Sequence, residues 1–240
     1  MDAPKHVVIL GLGPSLEAYS DLVKRLGGRH VFCDEVWGIN AVGGVYQCDR
    51  IFHMDDVRIQ ERRAVAKPES NIANMLGWMR KHPGPIYTSR AHPDYPGLVE
   101  FPLERFINEV GFAYFNGTAA YAVAFAILLG VEEISMFGCD FTYANAHHAE
   151  KGRACVEYWL GFARARGIRI SIAGGSSLMD SCEGGELYGY DTLQVEIEAP
   201  DDAPARVTFT PREEFATAEE IEARYDHSKH PNTLVSGQAA

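Results

Sequence analysis

The sequence predicts an α/β fold: a mostly parallel sheet flanked by helices, with a C-terminal β-hairpin and helix as an appendage. Three observations predict it. Short apolar runs such as His6-Val7-Val8-Ile9-Leu10 alternate with stretches at helical spacing, as in a parallel sheet covered on both faces. The first run opens into Gly11-Leu12-Gly13-Pro14-Ser15 directly before a helical stretch, the strand–turn–helix start of a Rossmann-like sheet. From about Asp191 the rhythm changes to alternating residues between acidic and Pro-rich segments. The domain boundary is therefore placed at residue 180, with 1–180 as the Rossmann-like domain and 181–240 as the appendage.

The elements follow in order. Leu16, Tyr19, Leu22, Val23 and Leu26 recur at helical spacing, and Gly27-Gly28 stops that helix. Val31-Phe32-Cys33 is a strand candidate, closely followed by Val36-Trp37-Gly38-Ile39-Asn40; a third is Arg50-Ile51-Phe52-His53-Met54, ending at Asp55-Asp56. Polar helical stretches occupy 57–67 and 69–81, and Pro85-Ile86-Tyr87-Thr88 is a short strand. Residues 91–111, rich in Pro and Gly, predict an irregular excursion with one short helix at 103–108. Asn116-Gly117-Thr118 caps a helix, 119–129, apolar on nearly every face and therefore buried. Glu133–Gly138 supplies the next strand, with Cys139-Asp140-Phe141 at its carboxyl end. Val156, Trp159, Leu160 and Ala163 mark the inner stripe of another helix, before the strand 168–172 and Gly174-Gly175-Ser176-Ser177. A hairpin (193–197 with 207–209), an acidic helix (211–225) and a polar tail complete the chain.

Composition narrows the function. The 240 residues are 46% hydrophobic and 23% charged, enough for a full core without disulfide staples. The net charge of −11 argues against a surface that grips nucleic-acid backbones throughout, though not against a local basic pocket. No apolar run spans a bilayer and the start lacks a signal-peptide pattern, so a cytoplasmic protein with no membrane partner is expected. Five cysteines without a CxxC read as reduced thiols, not a zinc site. The apolar middle helices suit a homo-oligomer as well as a monomer core.

Ligands of open α/β sheets bind outside the carboxyl ends of the strands, where strand order reverses. Gly11, Gly13, Pro14 and Ser15 form either a phosphate-approaching turn or simply a tight strand-to-helix turn; the turn is neither a full GxGxxG nor a Walker A motif. Asn40 is placed to bond a base or ribose, or to end its strand. Asp55 and Asp56 are either hard-oxygen ligands for magnesium or a helix-capping pair. Asp140 lies at a favoured strand end, where it either acts in catalysis or satisfies buried backbone donors. His147 and His148 follow a short loop and precede a helix; imidazole exchanges its proton near neutral pH, which suits a general base, and a solvated helix start is the alternative. Tyr143 beside them is a hydrogen-bond donor for a departing phosphate.

In order and spacing, the Gly11–Leu16 turn, Trp37-Gly38-Ile39-Asn40, Phe115-Asn116-Gly117-Thr118, Ile134–Phe141, His147 or His148 and Gly175-Ser176-Ser177-Leu178 resemble the bacterial sialyltransferases of glycosyltransferase family 42, over roughly residues 6–180. The GPSL turn and the Gly-x-Asp strand end are also similar to the 6-hydroxymethylpterin pyrophosphokinase-like group, and uncharacterised phage and bacterial proteins carry the same set. The first resemblance implies a nucleotide-binding transferase with a nucleotide-sugar donor and no required cofactor. It implies nucleotide contacts at Gly11, Gly13, Pro14, Ser15, Asn40 and Ser177, with His147 or His148 as base and Tyr143 one position from where a leaving-group tyrosine is expected; Asp55, Asn116, Gly117, Thr118 and Ser176 join them as nucleotide-binding candidates, and Asp140 as a catalytic one. The acceptor it leaves open: a small molecule, a glycan or a modified nucleobase. The second resemblance points to magnesium-dependent pyrophosphoryl or nucleotidyl transfer, with Asp55 and Asp56, joined by Asp140, as the metal's ligands. Nucleotide binding without catalysis is the third reading.

Overall fold

A computed structural model describes residues 3–142, 146–180, 187, 189–190, 192–198, 200, 203–214 and 216–223. They fall into two compact units divided between residues 181 and 182. The first contains β1 (His6–Leu10), α1 (Leu16–Leu26), β2 (Glu35–Ile39), β3 (Arg50–Phe52), α2 (Val57–Ala66), α3 (Asn71–Met79), β4 (Ile86–Thr88), β5 (Leu98–Glu100), α4 (Leu103–Val110), α5 (Thr118–Leu129), β6 (Glu133–Phe137), α6 (Ala146–Ala165) and β7 (Arg169–Ile172). Its seven strands run parallel in the order β5-β4-β3-β2-β1-β6-β7. The chain winds outward from β1 to β5, then returns to the other side of β1, so strand order reverses between β1 and β6. That switch point is where such sheets open a crevice.

The central strands are buried on both faces: in β1, β2 and β6 every residue after the first is buried. α5 shows why its sequence has no polar face. Nine of its residues are buried, packed on β1, β2 and β3 and beside α4 and α6. Phe125 at its centre meets Trp37, Phe52 and Tyr87 at ring distances of 5.7, 5.6 and 4.4 Å. Each such buried aromatic stabilises the fold by about 1.5–3 kcal/mol. Gly27 ends α1 with a left-handed φ of 81°, and its N–H and that of Gly28 return to Lys24 and Val23 carbonyls.

Four sequence expectations are corrected. Val31–Cys33 is not a strand: residues 29–31 form a single 3₁₀ turn, and β2 begins at Glu35. Asp49 fixes that register by accepting the Val36 N–H at 2.7 Å while paired with Arg29 at 2.6 Å, a long-range tie that local β-propensity does not encode. The excursion at 91–111 contains the edge strand β5, only three residues long between proline-bearing segments. α6 starts at Ala146, so His147 and His148 stand in its first turn, not before it. The second unit pairs β8 (Leu193–Glu198) antiparallel with β9 (Arg206–Pro211), as the alternation predicts, but its helix α7 is only Ala218–Ala223. The strand runs to Pro211, and Thr217 with Glu220 closes a capping box that sets the later start.

Candidate functional site

β1 and β6 approach each other closely where they leave the sheet. Gly11 N–H donates to Phe137 O at 2.8 Å and Gly13 N–H to Gly138 O at 2.7 Å. A Cβ on Gly11 would lie 2.2 Å from Gly138 O, and one on Gly13 2.5 Å from Asp140 Oδ2. The glycines are therefore required by backbone packing. Ser15, just before α1, is drawn into the same knot. Its N–H donates to Asp140 Oδ2 at 2.7 Å, its Oγ–H donates to Asp140 Oδ1 at 2.5 Å, and Gly138 N–H donates to Ser15 Oγ at 2.7 Å. Asp140 thus meets buried donors from a turn 125 residues away. The N–H groups of Gly11, Gly13 and Ser15 are thus committed to protein acceptors.

The open helix start is that of α5. Gly117 precedes it in extended conformation, and among the described residues no side chain caps the first turn. The approach is held by α6: Asn116 N–H donates to Cys155 Sγ at 3.3 Å, and Cys155 Sγ–H and Trp159 Nε1–H both donate to Tyr114 O, at 2.9 and 2.7 Å. The same helix that presents the histidines therefore fixes the α5 N-terminus.

These elements enclose a cavity of about 490 Å³. Gly11, Gly13 and Pro14 line it from the first turn, Asn40 and Asp55 from the ends of β2 and β3, Asn116, Gly117 and Thr118 from the start of α5, and Asp140 and His148 from the far side. Asn40 takes a left-handed φ of 52°, a conformation Asn tolerates better than most residues. Cys139 also lines the cavity, but burial, reinforced by Asp140, pushes its thiol up to about 12, which removes it as a thiolate nucleophile.

The remaining candidates lie elsewhere. His147 is exposed and does not line the cavity. Asp56 caps α2, accepting the Arg58 N–H at 2.8 Å. Ser15 stands behind the turn. Ser176 is buried and accepts the Leu178 N–H at 3.2 Å. Ser177 donates to Asp140 O and borders a second cavity of about 520 Å³ that shares Phe141 and Thr142 with the first. Tyr143 lies outside the described residues. Among the described residues no three His, Cys, Asp or Glu gather as a cation's ligand set, and no helix is long and apolar enough to cross a membrane.

One residue of the site was missed. His53, 1% exposed, sits behind Asn40 with its Nδ1 2.9 Å from Asn40 Oδ1. Burial lowers its pKa, with the Asp55 charge opposing. Its only sequence signal was a histidine at the carboxyl end of an apolar strand.

No protein-family profile matches the chain, and no curated protein matches it. Among solved structures it is similar to the sialyltransferase CstII from Campylobacter jejuni in complex with a substrate analogue, CMP-3FNeuAc, at 19% identity and a TM-score of 0.43, covering 72% of this chain and 82% of that one. A second structure of the same enzyme, with cytidine-5'-monophosphate, is similar at 16% identity and a TM-score of 0.43, covering 92% and 98%. Likeness of this degree leaves the fold to be read from the chain's own topology and the chemistry from its own cavity.

Proposed function

We propose that the protein is a transferase acting on a nucleotide-activated donor, and specifically a glycosyltransferase using a nucleotide-sugar. The observation that carries the reading is the meeting of three features around one cavity at the switch point: Asn40 and Asp55 at the strand ends, the uncapped start of α5, and His148. The first turn of α5 offers N–H groups and the positive end of a helix dipole to a donor phosphate. Asn40 and Asp55 face the same space and suit the nucleoside. His148 takes the proton of an acceptor hydroxyl as its oxygen bonds to the anomeric carbon, while the bond from that carbon to the phosphate oxygen breaks and the nucleotide leaves with the electron pair. Backbone donors then stabilise the leaving charge. Of the two histidines, His148 is assigned the base because it alone lines the cavity. Asp140 is assigned a positioning role, since its carboxylate holds Ser15.

Thermal shift against nucleoside mono- and diphosphates and their sugar conjugates, each with magnesium and with EDTA, tests the reading. A ligand at a hundred times its Kd stabilises by about 2.7 kcal/mol. The expected result is stabilisation by one nucleotide and its conjugate, unchanged by EDTA. His148→Ala is expected to keep that stabilisation and to lose donor turnover, with water serving as acceptor, while His147→Ala keeps both. Stabilisation by a nucleoside triphosphate only with magnesium would replace this reading with pyrophosphoryl or nucleotidyl transfer.

A further inference from the structure

A polar row of three residues, two of them buried, lies along the carboxyl edge of β2, β3 and β4. Strand register sets Ile39 beside Phe52 and Phe52 beside Tyr87, so the next residues, Asn40, His53 and Thr88, line up across the sheet. His53 N–H donates to Tyr87 O at 2.8 Å, continuing the ladder by one step. His53 and Thr88 are 1% and 0% exposed, and Asn40 is the member of the row that lines the cavity. Among the described residues, His53 Nε2 and Thr88 Oγ1 are buried without a hydrogen-bond partner. Leaving a polar atom so costs about 1–3 kcal/mol, a cost an aliphatic residue at either position would avoid.

The contact His53 does make is directional. Asn40 Oδ1 can only accept, so the 2.9 Å contact requires His53 Nδ1 to carry the proton. A buried ring favours the neutral form, which leaves Nε2 as a lone pair. Asn40 in turn has its carbonyl oxygen committed behind it, and its amide N–H₂ is the edge left for the cavity. An Asn without such a partner rotates its carboxamide to suit either a donor or an acceptor; this one does not.

We propose that His53 is a positioning residue that locks the Asn40 carboxamide with its N–H₂ edge toward the cavity, so that this corner of the site reads hydrogen-bond acceptors on the bound molecule, such as a pyrimidine carbonyl or ring nitrogen. The identity of that molecule rests on the nucleotide reading above; the lock itself does not.

Two measurements separate the lock from that reading. In free, ¹⁵N-labelled protein at pH 7, long-range imidazole correlations, assigned by their loss in His53→Asn, are expected to show His53 neutral and protonated at Nδ1. A ring protonated at Nε2, or at both nitrogens, overturns the proposal. Calorimetric binding of CMP is then compared across variants. His53→Asn keeps an N–H donor near the Nδ1 position and is expected to bind within about threefold of wild type, whereas His53→Leu weakens CMP about tenfold, one hydrogen bond's worth. In an Asn40→Ala background, His53→Leu is expected to add no further loss. Equal weakening by Asn and Leu, or an undiminished Leu effect without Asn40, would make His53 merely structural and sink the proposal. If wild-type protein binds neither CMP nor any other nucleotide, the nucleotide reading fails and the imidazole tautomer alone decides the role of His53.

Discussion

Gly11→Ala tests the close approach of the segments that follow β1 and β6, beside which the cavity lies. The added methyl would stand 2.2 Å from Gly138 O, 2.8 Å from Gly138 C and 3.0 Å from Cys139 Sγ. Two of these three neighbours are backbone atoms at the start of the next segment, so no side-chain rotation relieves the clash. Nor can Gly138 retreat freely, because it holds a left-handed φ of 69° with its own missing Cβ 2.2 Å from Gly11 O. Overpacking costs typically 1–3 kcal/mol, and a backbone-on-backbone clash belongs at the upper end, about 3 kcal/mol. For a chain of this size that lowers Tm by roughly 6–12 °C. Gly117→Ala is the control: nothing lies within 4 Å of its Cβ, and its backbone is extended. Its expected cost is at most about 1 kcal/mol, from the poorer N-cap preference of Ala. Differential scanning calorimetry of both variants decides the matter. A Gly11→Ala protein that melts within about 2 °C of wild type would refute the close approach of Gly11 to Gly138.

Asp140→Ala removes both acceptors of Ser15 and is expected to cost roughly 3 kcal/mol, measured by urea denaturation. Ser15→Ala added to it should cost less than Ser15→Ala alone, because the bonds to Asp140 are already gone and only the Gly138 N–H loses its acceptor. Stability is also expected to fall below pH 6.5 through His53. Its folded pKa is below the ordinary 6.5, so between 6.5 and that lower value the unfolded chain binds the extra proton and unfolding is favoured. The drop in Tm from pH 7.5 to pH 5.5 should therefore be smaller in His53→Asn than in wild type, and an equal drop would show that His53 is not buried as a neutral ring.

What was legible in the sequence was local. The Gly11–Ser15 turn, Asn40 at the end of an apolar strand, and the Asn116-Gly117-Thr118 helix start each announce themselves within a few residues, and all of them reach the cavity except Ser15. What was hidden depends on register between distant segments. Asp140 stays open between catalysis and satisfying backbone donors because nothing nearby in sequence claims it; the claimant is Ser15, brought in by the pairing of β1 with β6. Asp55 and Asp56 are indistinguishable as a pair, and only the direction of α2 separates the one that lines the cavity from the one that caps the helix. His53 and Asn40 are 13 residues apart, and only the β2–β3 register makes them neighbours.

The two helix starts at the switch point have different electrostatic surroundings, and these decide which of them suits an anion. α1 begins at a residue whose N–H already bonds a carboxylate, that of Asp140, so the positive end of its dipole faces an anion supplied by the protein. A phosphate placed there would meet that carboxylate and lack the N–H groups of Gly11, Gly13 and Ser15, all spent on Phe137, Gly138 and Asp140. α5 begins at a glycine, with no capping side chain, against the same cavity. An incoming anion therefore has one helix start at which its charge is complementary and another at which it is opposed. The fold uses its first turn to close the sheet, whereas the approach to the second is pinned by Cys155 and Trp159 of the helix that carries His148 and lines the cavity.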